Sequence, residues 1–185
     1  MLAGLSPLDS AFPVRHVLLA GRTGVGKSSL VNYLVADAKA GVGLGRPATR
    51  KGECHLYRTQ AFACPVVFYD TWGIEIDKSD EWLRYVRALL TREASQVQTI
   101  VYCVMAGGHR VQPFDLELIA EFQRRGLHVL VALTKCDLVT QMDCELLRQA
   151  IPPGVRVVQT CGGGKTRAGV SMPFGKTRLL FFLTL

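Results

Sequence analysis

The sequence lacks the marks of several protein classes. No apolar run approaches the roughly 20 residues that a membrane-crossing helix needs, so no such helix is expected in these 185 residues. The opening stretch, MLAGLSPLDS, has no basic segment followed by an apolar one, so no secretory leader is expected. The six cysteines (Cys54, Cys64, Cys103, Cys136, Cys144 and Cys161) form no CxxC pair and no metal-type spacing. Most lie in apolar or strand-like surroundings, as reduced buried thiols do, and a cytoplasmic setting is the economical expectation. There is no basic tail: the formal charge of +7 is spread along the chain. Such an excess suits RNA, a ribosome or an anionic lipid, but it also suits a plain basic surface, and it attracts any anionic nucleotide. No long repeat is visible. GKTR occurs twice, at 164–167 and 175–178, and neither copy has a glycine five residues earlier.

What is present is an alternation. With 49% apolar residues the chain can bury one core and fits one domain. Strands are expected at 14–20, 53–62, 64–70, 97–106, 127–133 and 155–160. Helices are expected at 27–36, at 79–95 with Ser79 as its cap, at 114–125 and at 141–150. Residues 37–52, polar and glycine-rich, should form a loop. Continuous apolar strands separated by amphipathic helices point to a parallel sheet covered on both faces. The second and third strands lie too close for a helical crossover, so they should pair antiparallel, leaving one antiparallel edge strand. The closing LLFFLTL should be a short buried element; an exposed docking tail is the alternative.

Chemistry concentrates in three stretches. The first, GRTGVGKSS at 21–29, matches G-x-x-x-x-G-K-[ST] at a strand-to-helix junction. Chance produces the pattern in on the order of one in a hundred chains of this length. A loop that wraps a phosphate needs glycines so that backbone N–H groups can approach the oxygens, and the next helix offers its positive end. Gly21, Arg22, Thr23, Gly24, Val25, Gly26, Lys27, Ser28 and Ser29 are therefore candidate phosphate-binding residues. Lys27 would reach the outer phosphates, and the Ser28 hydroxyl would ligate Mg²⁺. In the second stretch, VVFYDTWG, Asp70 ends an apolar strand where it can hold Mg²⁺, and the Gly73 N–H can meet a terminal phosphate. In the third, LTKCDL, the Asp137 carboxylate can accept both edge N–H groups of guanine, which adenine lacks. The Lys135 stem can lie over the base.

In this order GRTGVGKS, DTWG and TKCD resemble the GTPase domain of the translation-factor-related class, nearest the Era and TrmE branch. The resemblance covers residues 14–185, with 1–13 as an N-terminal segment, and extends to the short prophage-associated ribosome-binding-type GTPases. It implies a P-loop NTPase fold: α/β, with a mostly parallel sheet of about six strands, one antiparallel edge strand, and helices on both faces. It implies Mg²⁺ and GTP or GDP as cofactors. Slow hydrolysis acting as a conformational switch is the implied activity. The implied partners are ribosome or rRNA or a protein effector, and a nucleotide-dependent dimer.

Residue by residue, the resemblance makes Thr49 the mobile threonine that closes on Mg²⁺ and the terminal phosphate. Lys27, Thr49 and Gly73 become the catalytic set, and Ser28, Thr49 and Asp70 the metal set. Thr134 stands where the family usually has the Asn that ties the base loop to the phosphate loop. Thr160, Cys161 and Gly162 occupy the last base-binding loop. Gly24 replaces the Asn of potassium-activated members, and Ile74 stands where other GTPases carry a water-orienting Gln. Arg46, Arg50 and Lys51 flank Thr49 as candidate charge stabilisers. Two other readings stay open. One is a scaffold that holds GTP or GDP without turnover. The other is an ATP-dependent kinase or ATPase, which would have no use for TKCD.

Overall fold

A computed structural model describes residues 12–41, 49–75, 79–91, 96–108, 110–166 and 169–185. Its elements run β1 (Arg15–Ala20), α1 (Lys27–Leu34), β2 (Cys54–Ala61), β3 (Cys64–Thr71), α2 (Ser79–Thr91), β4 (Thr99–Met105) and α3 (Pro113–Arg124). They continue with β5 (His128–Thr134), α4 (Gln141–Gln149), β6 (Arg156–Gln159), β7 (Gly164–Thr166), β8 (Gly169–Ser171) and α5 (Lys176–Thr184). Six strands form one sheet in the order β2-β3-β1-β4-β5-β6. β2 pairs antiparallel with β3, and the other pairings are parallel. The expected architecture therefore holds, including the antiparallel edge strand. The turn between β2 and β3 is Phe62–Ala63, both at positive φ, which matches the twist of a two-residue hairpin without the usual Asn-Gly.

The strands alternate as a two-residue period demands. Leu18 and Ala20 of β1 face a layer containing Trp82 and Val86 of α2, Leu118, Ile119 and Phe122 of α3, and Leu147 of α4. Val17 and Leu19 face the opposite layer, with Leu30, Val31 and Leu34 of α1 and Leu179, Leu180 and Leu183 of α5. α5 is thus the short buried element the sequence suggested, and its leucines are not an exposed tail. α4 begins at a capping box, in which Asp143 N–H donates to Thr140 Oγ1 and Thr140 N–H to Asp143 Oδ2.

The β7–β8 hairpin was not expected. Three-residue strands among five glycines and prolines (Gly162, Gly163, Gly164, Gly169 and Pro173) leave no periodicity to detect. The two GKTR copies fall in different structures: 164–166 lie in β7, whereas 175–178 open α5. Residues 1–11 of the expected N-terminal segment, 42–48 of the glycine-rich loop, 92–95 at the end of the second helix and the Ser79 side chain lie outside the described residues.

His16 at the start of β1 lies 2.9 Å through Nδ1 from the Tyr69 hydroxyl. Burial, then the nearby Arg58 charge, holds its pKa below the ordinary 6.5. A depressed histidine binds fewer protons folded than unfolded. Its contribution is intact above the unfolded value and is lost as pH falls through the folded one. Urea midpoints should therefore fall more steeply between about pH 7 and pH 5 in the native chain than in His16→Phe. Equal slopes would remove His16 from the account.

Candidate functional site

The phosphate loop follows directly from β1. Gly21 packs so close to β4 that a Cβ would lie 2.5 Å from the Cys103 carbonyl oxygen, so no side chain fits there. Gly26, at φ 101°, forms the left-handed N-cap of α1, which has no side-chain cap and no acid in its first turn. The free N–H groups of that turn make an anion site. Lys27 is buried, and its Nζ donates to the carbonyls of Gly21 (3.0 Å) and Arg22 (3.2 Å). Burial pushes its pKa down, against the pull of the Cys103 and Asp70 charges. The ammonium is held over the loop by weak carbonyl partners, which a phosphate would replace with charged oxygens.

β3 carries Asp70 to the same place. Ser28 Oγ donates to Asp70 Oδ2 at 2.9 Å, while Oδ1 is buried without a hydrogen-bond partner. Burial raises the Asp70 pKa; Ser28, Lys27, His55 and Thr49 pull it back. Thr49 is itself buried close by. A buried carboxylate oxygen with an unused lone pair, beside two hydroxyls, is a hard-oxygen set of the kind Mg²⁺ takes. Among the described residues no group of three His, Cys, Asp or Glu could hold a metal, so this set relies on hydroxyls.

The segment after β3 lies against the phosphate loop. Ile74 N–H donates to Gly21 O and Thr23 N–H to Ile74 O, both at 3.1 Å. Between these bonds a Cβ on Gly73 would sit 2.5 Å from Thr23 Cα and 2.7 Å from Thr23 N. Gly73→Ala must therefore push the segment off the loop. Displacements of about 1 Å can cost roughly 10²-fold in rate. We expect a loss of hydrolysis of that order with GDP affinity kept, read by single-turnover assay and by titration with a fluorescent GDP. An unchanged rate would detach Gly73 from the chemistry.

Two tryptophans fix this segment, a role that sequence reasoning missed. Trp82 Nε1 donates to Trp72 O at 3.0 Å, and Trp72 meets Tyr85 edge-on with ring centroids 5.9 Å apart. Of the charges flanking Thr49, Lys51 pairs with Glu81 at 2.7 Å, Arg50 is exposed, and Arg46 lies outside the described residues.

The base-reading loop reaches the same mouth from β5. The Thr134 hydroxyl donates to Val25 O in the phosphate loop, with Val104 O at 3.3 Å as a second acceptor. A threonine thus makes the tie expected of the family's Asn. Lys135, at φ 55°, donates through Nζ to Gly24 O at 3.1 Å. Asp137 follows in a 3₁₀ turn, Cys136–Leu138, close enough to the Cys161 thiol to raise that thiol's pKa, after burial as the main cause.

Gly162 faces α1: a Cβ there would lie 3.9 Å from Ser29 O. The loop containing it is more committed than the sequence suggested. Thr160 N–H donates to Leu133 O (2.7 Å) and Cys161 N–H to Phe174 O (3.1 Å), while Gly163 N–H reaches Cys161 Sγ (3.2 Å). Two of the three expected base-facing residues thus have their N–H groups engaged elsewhere. A cavity of about 670 Å³ adjoins the loop, lined by Arg22, Thr23, Gly24, Val25, Ile74 and Lys135 among others.

A glycine loop at a strand-to-helix junction, a buried hydroxyl–carboxylate pair beside it and a β5 segment tied to it through Thr134 and Lys135 define a P-loop nucleotide-binding domain. The family model described as "50S ribosome-binding GTPase" matches residues 16–135, and the chain belongs to that family. It is 28% identical over 138 residues to GTPase Era of Caldicellulosiruptor saccharolyticus, covering 75% of this chain and 45% of that one. It thus spans less than half of that relative. Among solved structures, Era of Aquifex aeolicus bound to GDP.AlF4- superposes with a TM-score of 0.65 at 22% identity, over 85% of this chain and 52% of that one. Toc33 of Arabidopsis thaliana in complex with Mg²⁺ and GMPPNP also gives 0.65, at 16% identity, over 94% and 82%. The chain is a GTP- and GDP-binding domain. No helix among the described residues is long and apolar enough to cross a membrane.

Proposed function

We propose that this chain, as a single nucleotide-binding domain over residues 14–185, hydrolyses GTP slowly and acts as a switch. The observation that carries the reading is the pair of bonds from Thr134 and Lys135 to the carbonyls of Val25 and Gly24. They tie the guanine-reading segment to the phosphate cradle. In this reading residues 21–29 hold the phosphates, with Lys27 on the outer ones. Ser28, Asp70 and Thr49 would hold Mg²⁺, which would neutralise charge on the outer phosphates. Lys135 and Asp137 take the guanine, with the 160–162 loop beside it.

Water attacks the terminal phosphorus and the bond to the second phosphate breaks, leaving GDP and inorganic phosphate. The cradle contributes position and charge stabilisation rather than covalent chemistry. No side chain on the 73–74 segment aids the water, because Ile74 is buried and apolar. Hydrolysis should therefore be slow without a partner, at about 10⁻⁴–10⁻³ s⁻¹. Loss of the terminal phosphate removes what Thr49 and Gly73 contact, and the two segments relax. A protein effector, ribosomal RNA or a second copy would read that difference, in the cytoplasm.

Single-turnover hydrolysis with Mg²⁺ tests the reading, with tryptophan emission followed alongside, since Trp72 and Trp82 are the two tryptophans of the chain and both support the 73–74 segment. Slow phosphate release with an emission change between the GTP and GDP forms is expected. Tight GDP binding with no release and no emission change would establish the non-hydrolysing scaffold instead, which the buried apolar side chain of Ile74 favours.

A further inference from the structure

The groove between α4 and α5 takes no part in the nucleotide site. It runs beside β6, the last strand of the sheet order, and has a volume of about 590 Å³. Arg148 of α4, Gln159 of β6, Phe174, and Lys176 and Arg178 of α5 line it. Against these three cations the lining holds one carboxylate, Glu145, which already pairs with Arg148 at 3.6 Å. Arg156 on β6 adds a fourth cation beside the groove, exposed like Arg178. The first turn of α5 has no acidic residue to offset Lys176 and Arg178.

The cations are also held in place. The Arg156 and Arg178 guanidinium groups lie 5.1 and 5.8 Å from the Phe182 ring centroid, and the Lys176 ammonium 5.8 Å from that of Tyr33. A guanidinium already fixed on a ring loses little freedom when it binds phosphate, and its plane can carry a stacked base. Phe174, 40% exposed, adds an apolar face at the rim.

We propose that this groove binds single-stranded RNA. The phosphates pair with Arg148, Arg156, Lys176 and Arg178, and bases lie on Phe174 and the guanidinium planes. Cations interleaved with flat faces along an open groove suit a strand of nucleotides, whose every unit offers one charge and one ring. An acidic peptide would use the charge and leave the rings without a partner. The proposal does not depend on how the nucleotide site works.

The test uses the full chain loaded with GDP and a fluorescein-labelled oligo(U) of about 12 nucleotides, read by anisotropy. Binding should weaken as salt rises. The double variant Lys176→Glu, Arg178→Glu should lose at least about tenfold in affinity and reduce the salt slope by about two. Acids are favoured in a first helical turn, so this variant keeps α5, and its unchanged affinity for a fluorescent GDP separates this proposal from the nucleotide reading. Arg58→Glu with Arg84→Glu makes the same charge change away from the groove and should leave oligo(U) binding nearly unaltered. Phe174→Ala should weaken oligo(U) but not inorganic polyphosphate. An equal loss in the two double variants would overturn the proposal. So would no binding by the native chain, or displacement by polyglutamate as efficient as by unlabelled oligo(U).

Discussion

Lys27→Ala is expected to abolish measurable turnover and to weaken GTP far more than it weakens the fold. The ammonium now bonds two loop carbonyls at 3.0 and 3.2 Å and is buried at a cost, as its lowered pKa shows. Bound phosphate would turn these neutral partners into charged ones, and a hydrogen bond to a charged group contributes about 1.5–3 kcal/mol. Affinity for GTP should therefore fall by roughly 10- to 150-fold. Losing a preorganised positive group in the transition state should lower the rate by a further ~10²–10³. Truncation relieves that desolvation but leaves two loop carbonyls and the buried Asp70 carboxylate without their cation, so the nucleotide-free variant should melt modestly below the native chain. Titration with a fluorescent GTP analogue, single-turnover hydrolysis and thermal unfolding check the three parts. Native-like hydrolysis by the variant would exclude Lys27 from the phosphate site.

Asp137→Asn is expected to change which base is held. Guanine presents its ring N–H and its amino group to a carboxylate, two charge-assisted bonds worth about 3–6 kcal/mol together. An asparagine keeps one acceptor and turns a donor toward the amino group, so GDP affinity should fall by about 10²–10⁴. A purine with a carbonyl in place of that amino group, as in xanthosine diphosphate, should regain much of the loss, since it accepts where the introduced amide donates. Calorimetric titration with the two diphosphates measures this. Native GDP affinity in the variant would show that the carboxylate does not face the base. Because Asp137 lies next to Cys136, which is buried with Cys144 and Cys161 in the same part of the fold, the change should be made without disturbing those thiols.

How much of this was legible in the sequence depended on how local each requirement is. The phosphate loop was readable because its constraints fall within eight consecutive residues. Gly21 must clear the Cys103 carbonyl and Gly26 must turn left-handed into α1. The mostly parallel sheet with its antiparallel edge strand followed from apolar runs and connection lengths, and the short buried closing element from its apolar composition. What escaped notice depends on distant partners. The engagement of Cys161 N–H by Phe174 needs a hairpin whose three-residue strands carry no periodic signal. The bond from Trp82 to Trp72 O joins residues ten apart that no sequence pattern links. That Thr134 stands where the family usually has Asn was readable, but the partner of its hydroxyl was not. The structure shows that one hydroxyl suffices, because β5 carries it directly beneath Val25 O. The basic groove was invisible as a site, since Arg148, Arg156, Lys176 and Arg178 come from three elements and meet only at the β6 edge.

The central claim is that the cradle at 21–29 and the carboxylate of Asp137 act on one bound molecule. Displacement of a fluorescent GDP from the native chain by unlabelled GDP and by ADP tests it most directly. Sites that pair buried polar groups with a base reject a mismatched one by about 10⁴–10⁵, so GDP should displace the probe at concentrations lower than ADP by that order. Equal displacement by the two would show that the phosphates are held while the base is not read, and would contradict the account.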